Sequence, residues 1–201
     1  MRVRRAGPRA LLIECASASE AQAWRSTLWE RREQGAFSAE EIVPGERTVL
    51  LDGVDPDRVN LGDWAPAEGV LPADGPLVEI ATVFDGEDLN FVACYWGVSV
   101  EAAVGRLTST EFTVAFCGFA PGFAYLRGLA PDRAVPRLDA PRPRVPAGAV
   151  ALAGAYAGIY PTASPGGWRL VGRTDQNLFD VRREPPALLA PGTRVRLAVA
   201  R

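Results

Sequence analysis

The residue types that could do chemistry in this chain are few. It has no His, and all 22 of its basic residues are Arg. A Ser-His-Asp or Cys-His device within the chain is therefore excluded. So are a Lys Schiff base and a P-loop, whose lysine reaches the phosphates. Arg stays protonated, so it binds and polarises anions without moving protons at neutral pH. Acid/base chemistry must come from Asp, Glu, Tyr or Cys, or else the main catalytic groups lie on another chain. Cys15, Cys94 and Cys117 are scattered along the sequence. With no Cys-x-x-Cys pair and no His, they suggest neither a zinc site nor a disulfide framework, and they read as small buried hydrophobes.

Three stretches gather the remaining candidates: GFAPGFAYL over 118–126, PRLDAPRPRVPAG over 136–148 and GIYPTASPGGW over 158–168. A Pro-Gly pair fixes one dihedral and frees the next, making a tight turn whose amides can cradle an anion. The same pairs serve equally as rigid barrel turns. Arg137, Arg142 and Arg144 are interleaved with prolines. Proline limits the motion of the loop, so the guanidinium forks are held out at low entropic cost, in a form that suits a carboxylate, carbamate or phosphate. A solvated charged loop is the alternative. Phe119, Phe123, Tyr125, Tyr160 and Trp168 could wall a pocket or fill a core.

These stretches need a scaffold, and the rest of the chain reads as one. Ala10–Glu14 reads as a strand, and Ser17 or Ser19 could cap a helix over about 20–34. Arg47–Leu51 reads as a second strand ending at the Asp52-Gly53 turn, and Asp55-Pro56 opens a short helix through Leu61. Trp64–Pro76 is rich in Gly, Pro and Ala and reads as a linker. The spacing predicts a strand over 77–84, a helix over 88–96 capped by Asp85, and a helix over 101–107 capped by Ser99. From Phe112 onward, short apolar strands (112–116, 149–153, 168–171, 195–199) alternate with Gly/Pro loops, and eight of the 17 prolines fall between Pro121 and Pro165. That texture predicts a closed or nearly closed β-barrel with long, rigid loops. The expected organisation is α+β, with a small α/β domain over 1–76 and a barrel over 77–201.

The bulk numbers fit a globular protein: 48% hydrophobic, 23% charged and a net charge of -2. Such a balance gives no attraction to nucleic acid. No apolar run approaches the roughly 20 residues needed to cross a bilayer. The basic start, Met1–Arg9, is followed by an apolar piece, Ala10–Ile13, too short for a signal-peptide core. A cytoplasmic location, without membrane or nucleic-acid partners, is the expectation.

At the loop stretches the chain resembles a known family, allophanate hydrolase subunit 1, or carboxyltransferase subdomains C and D, which includes the B-type subunit of 5-oxoprolinase and the sensor-kinase inhibitor KipI. The matching pieces are GFAPGFAYLRGL, PRLDAPRPRVPAGAV, GIYPTASPGGWRLVGRT and LFD at 178–180, with Phe84-Asp85-Gly86-Glu87-Asp88-Leu89 similar to the family's Tyr-Asp-Gly-x-Asp-Leu. The resemblance implies that the barrel is cyclophilin-like. It implies a subunit-2 partner (carboxyltransferase subdomains A and B), a further LamB/YcsF-type subunit, and ATP-dependent cleavage of a small amide such as 5-oxoproline. ATP would be used by the complex, and no metal is expected in this chain. On this reading Arg137 and Arg142 bind an anion. Pro121, Gly122, Gly166 and Gly167 wall the pocket with Tyr160, Ser164 and Trp168, and Asp85 or Asp139 is the acid/base. Two departures stand out. Thr108 takes the place of a family His, and Gly154-Ala155-Tyr156-Ala157-Gly158 replaces Gly-Gly-Gln-Thr-Gly. The lost polar groups leave room for a KipI-like inhibitor of a histidine kinase, or for a scaffold subunit.

Overall fold

A computed structural model of the chain describes residues 1–62, 64–66 and 75–200. It divides into two compact units, Met1–Ala73 and Asp74–Arg201. Residues 63 and 67–74, most of the expected linker, lie outside the described residues. No helix among the described residues is long and apolar enough to cross a membrane.

In the first unit, β1 (Arg2–Arg5), β2 (Ala10–Glu14), β3 (Glu41–Pro44) and β4 (Thr48–Asp52) form an antiparallel sheet in the order β1-β2-β4-β3. Leu11, Leu51 and Ile42 sit opposite one another in register, as do Ile13 and Val49. These rows meet Ala21, Trp24 and Leu28 of α1 (Ala18–Glu33), one apolar stripe against one apolar face. Ser17 is the cap: its hydroxyl accepts from the Glu20 N–H at 3.1 Å, and the Glu20 carboxylate accepts from the Ala16 N–H at 2.6 Å. The helix expected over 55–61 is absent. A single turn, in which the Arg58 N–H donates to the Asp55 carbonyl, replaces it. The side chains of Asp55 and Asn60 accept from the N–H groups of Asp57 and Gly62, drawing the backbone into Asx turns instead of a helix. Among its described residues the unit has four strands and one helix, where β-α-β-α was expected.

The second unit is the barrel. Its strands are β5 (Leu77–Thr82), β6 (Glu111–Cys117), β7 (Ala124–Arg127), β9 (Ala149–Ala153), β10 (Tyr156–Ile159), β12 (Arg169–Arg173) and β13 (Arg194–Val199). They form one sheet in the order β12-β9-β10-β7-β6-β13-β5. Val83 and Arg173 exchange two backbone hydrogen bonds of 2.8 Å, joining the two edge strands and nearly closing the cylinder. A separate pair, β8 (Arg142–Val145) and β11 (Ser164–Gly166), lies apart from that sheet. Two helices, α2 (Leu89–Tyr95) and α3 (Val100–Ser109), follow β5, and Ser99 caps α3 through the Ala102 N–H.

Strand alternation places the cores. Val150 and Leu152 of β9, Ala157 and Ile159 of β10, and Leu126 of β7 fill the barrel interior. The outward positions of the same strands are Ala149, Ala151 and Ala153 of β9, with Gly158 and Tyr156 on β10. This outer face would normally be polar. Here its small residues make room for large rings: Phe123, Tyr160 and Trp168 pack over it as a second apolar core. Burying each such ring contributes about 1.5–3 kcal/mol relative to exposure.

Candidate functional site

An open cleft of about 260 Å³ lies over that outer face, lined by Phe119, Phe123, Tyr125, Arg137, Tyr160, Pro165, Gly166 and Trp168. Its floor is a lattice of edge-on rings. Phe123 meets Tyr160 at 5.4 Å and Trp168 at 5.5 Å between centroids, both near perpendicular. Gly158 permits this packing, since a Cβ there would come within 2.9 Å of Phe123 and 3.0 Å of Trp168. Gly166 yields to Tyr160 in the same way, because a Cβ would overlap the phenol oxygen.

Burial raises the pKa of both phenols, Tyr125 and Tyr160, while the nearby Arg137 charge pulls partly back. The Trp168 backbone amide also hydrogen-bonds Tyr160. Both phenols are therefore protonated at neutral pH and can donate a hydrogen bond but cannot act as bases there. Arg137 itself is exposed and, among the described residues, pairs with no carboxylate. It is a free cation on an aromatic rim.

The loop before β7 is bent twice. The Ala120 N–H donates to the Gly118 carbonyl at 2.9 Å across Phe119, whose φ is +71°. This is the strained form of the γ-turn, and Phe119 is the sole described non-glycine residue at positive φ. Such a backbone costs on the order of 1–3 kcal/mol and persists only where its surroundings enforce it. The Phe123 N–H then donates to the Ala120 carbonyl at 2.9 Å around Pro121-Gly122, with Gly122 at φ +83°. Gly122 faces away from the cleft, where a Cβ would press on Phe179 at 2.7 Å. Pro121 and Gly122 are thus a turn docked on the 178–179 segment, and Phe119 and Phe123 beside them supply the wall. The amides expected to cradle an anion are largely spent inside the protein: those of Gly118, Ala120, Phe123 and Leu138 all donate to backbone carbonyls.

The structure moves several candidates to other roles. Arg142 does not line the cleft and is already engaged. It donates to Asp88 Oδ2 at 2.7 Å and to the Trp168 carbonyl at 3.2 Å, and its Nε lies 2.5 Å from Glu87. It is a clamp within the fold, with no free edge for a ligand. Asp85 does not cap α2. It pairs with Arg173 at 2.9 Å, and the cap position belongs to Asp88. Asp139 sits exposed in the loop before β8. Neither carboxylate lines the cleft. Ser164 has a buried hydroxyl without a partner and stands behind the rim, next to Pro165. A Cβ on Gly167 would lie 3.6 Å from Pro141, and the Gly167 carbonyl accepts from the Leu138 N–H at 2.8 Å, fixing the Arg137 loop to the start of β12.

Asp88 is the residue that sequence reasoning passed over. It is 7% exposed, and its Oδ2 also accepts from the Leu170 N–H at 2.7 Å. Its own N–H donates to the Leu170 carbonyl, so it pairs with β12 like a strand residue. Gly86 allows that approach, because a Cβ would strike the Leu170 carbonyl. The signal was present in the Asp-Gly-Glu-Asp run, where a buried acid beside a required glycine implies a fixed partner.

Residues 1–189 match the family described as carboxyltransferase domain, subdomain C and D. The chain belongs to that family. It is 38% identical over 166 residues to the B-type subunit of 5-oxoprolinase from Escherichia coli O157:H7, covering 78% of this chain and 76% of that protein. It is 42% identical over 123 residues to the corresponding 5-oxoprolinase subunit of Bacillus subtilis, covering 60% of this chain and 51% of that one. The crystal structure of TTHA0988 superposes with a TM-score of 0.78 at 36% identity, over 96% of this chain and 40% of that chain. The chain thus spans well under half of the TTHA0988 length. A urea carboxylase from Kluyveromyces lactis has a TM-score of 0.70 at 20% identity, a likeness of fold over 99% of this chain and 22% of that one.

The residues at the family departures, Thr108, Tyr156 and Ala157, do not line the cleft. The Thr108 hydroxyl donates to the Val104 carbonyl within α3 at 3.0 Å. Tyr156 packs edge-on against Tyr125 at 6.0 Å and against Phe116 at 5.8 Å, buttressing the aromatic wall from behind. Ala157, at the family's Thr position, points into the barrel.

Proposed function

We propose that this chain is the small subunit of an ATP-dependent amide-cleaving hydrolase of the 5-oxoprolinase type, and that the outer-face cleft is its share of the substrate site. The observation that carries the reading is the unpaired Arg137 above a floor of protonated phenols and aromatic rings. Such a surface binds and orients an anionic amide. Among the described residues that line it, none is a carboxylate, thiol or imidazole able to move a proton. The cleft is half a site, and a second chain must bring the acid/base groups and the nucleotide chemistry. A homologue of carboxyltransferase subdomains A and B, with a LamB/YcsF-type subunit, would fill that role in the cytoplasm. The names of the curated relatives, all subunits of 5-oxoprolinase, support this choice over a kinase inhibitor.

The test is reconstitution. The purified chain alone turns over no 5-oxoproline, and addition of the partner subunits gives turnover coupled to ATP hydrolysis. Robust turnover by the isolated chain would contradict the proposal, as would a partner assembly equally active without it.

A further inference from the structure

Phe119 poses a physical question that the aromatic floor does not answer. The residue is 61% exposed. Its backbone is held at φ +71°, a region that L side chains rarely adopt. A bulky exposed side chain gains little from such a conformation, and a glycine would adopt it freely. The turn nevertheless stands the ring at the mouth of the cleft, edge-on to Phe123 at 5.3 Å and to Tyr160 at 6.2 Å. Strain kept by a residue that still leaves most of its surface open to the cleft is the pattern of a residue positioned for a ligand.

Among the described residues the cleft has one free charge, Arg137. The neighbouring guanidiniums are engaged: Arg142 by Asp88 and Glu87, and Arg169 by Asp88, the Pro136 carbonyl and the ring of Phe91. With the amides of Gly118, Ala120, Phe123 and Leu138 donating internally, the charge that an anion meets is a single planar fork. One fork matches one carboxylate. A phosphate or a nucleotide chain normally needs several converging donors, and about 260 Å³ falls short of the range of about 300–1,000 Å³ usual for larger ligands.

We propose that Phe119 and Arg137 form a two-point clamp for a small flat monocarboxylate, the Phe119 ring covering its planar face while the Arg137 fork takes its carboxylate. Phosphate groups bind elsewhere in the assembly. The clamp deepens the functional reading above and rests on it for the choice of probe, 5-oxoproline, whose flat ring amide carries one carboxylate.

The experiment measures binding to the intact chain by ligand-observed NMR and calorimetry, with 5-oxoproline, with 2-pyrrolidinone (the same ring without the carboxylate), and with inorganic phosphate and ATP. 5-Oxoproline binds. 2-Pyrrolidinone binds about ten-fold or more weakly, the loss expected when a charge-assisted contact is absent. Phosphate and ATP do not displace 5-oxoproline. Arg137→Ala removes the preference for the carboxylate. Phe119→Gly weakens 5-oxoproline binding about ten-fold while leaving the melting temperature unchanged or higher, because glycine relieves the strain. A merely structural ring would instead lose stability on the same change. The clamp is overturned if 5-oxoproline does not bind, if 2-pyrrolidinone binds as well, if phosphate competes, or if Phe119→Gly binds like the parent chain. The two readings fail separately. Turnover by the reconstituted complex with a raised KM in Arg137→Ala but an unchanged KM in Phe119→Gly removes the clamp and leaves the half site. Carboxylate-dependent binding with no ATP-coupled turnover of 5-oxoproline leaves the clamp and removes the enzyme.

Discussion

Replacing Asp88 with Ala should damage this protein more than any change to the carboxylates Asp85 or Asp139. Asp88 is buried and accepts two hydrogen bonds of 2.7 Å, from the Leu170 N–H and from Arg142. Alanine leaves the Leu170 N–H buried without an acceptor, which costs about 1–3 kcal/mol. It also strips Arg142 of its inner partner. A fully buried pair broken on one side costs about 3–5 kcal/mol. That figure is too high here, because the Arg142 side chain is 19% exposed and keeps Glu87. A net loss of about 2–4 kcal/mol follows, a drop in melting temperature of roughly 10 °C for a unit of this size. Asp88→Asn keeps an acceptor for Leu170 and loses the charge, so it should cost about half as much. Equilibrium urea denaturation followed by circular dichroism reads both variants. Stability of Asp88→Ala within about 1 kcal/mol of the parent chain would refute the reasoning, as would an Asn variant as damaged as the Ala variant.

Two further perturbations probe the cleft floor and the first unit. Gly158→Ala places a Cβ within 2.9 Å of Phe123 and 3.0 Å of Trp168, so the rings must shift. A loss of about 1–3 kcal/mol in thermal or urea unfolding is expected. Burial, with the Glu20 charge adding, pushes the Cys15 thiol from 9.0 up to about 11. The folded state then holds this proton more tightly than the unfolded chain, so the associated stability is full below pH 9.0 and is lost as the pH rises toward 11. Tyr125 and Tyr160, also raised by burial, act in the same direction above pH 10.0. Urea titrations between about pH 8 and 11 should show the decline, and Cys15→Ala should flatten its first part. A thiol reagent at neutral pH should modify the exposed Cys94 well before Cys15.

Much of the fold was legible because local signals and tertiary packing agree. Ala10–Glu14 and Ala149–Ala153 are strands to the residue, and Ser17 and Ser99 cap their helices through side-chain hydrogen bonds. The strands β8, β10 and β11 were not, because Gly, Pro and small residues hide their alternation, and β7 was not because it is only four residues long. In β10, Gly158 is small so that Phe123 and Trp168 can meet, a requirement set by residues distant in the chain. The loop stretches did hold the cleft: Arg137, Tyr160, Gly166 and Trp168 line it together. The sequence did not reveal which arginine is free. Arg137 and Arg142 look alike in a Pro/Arg loop, and only the distant Asp88 distinguishes them. The carboxylates Asp85 and Asp139 drew attention as acids, yet the acid with a structural task is the buried one, in the same motif as Asp85.

The central claim is that this chain contributes an anion-binding half site to an ATP-dependent amide hydrolase. The most direct measurement is steady-state turnover of 5-oxoproline by the reconstituted assembly, comparing the parent chain with Arg137→Ala. The account predicts an assembly of unchanged composition whose KM for 5-oxoproline rises about ten-fold or more on losing the guanidinium. Unchanged kcat and KM in a fully assembled Arg137→Ala complex would contradict it.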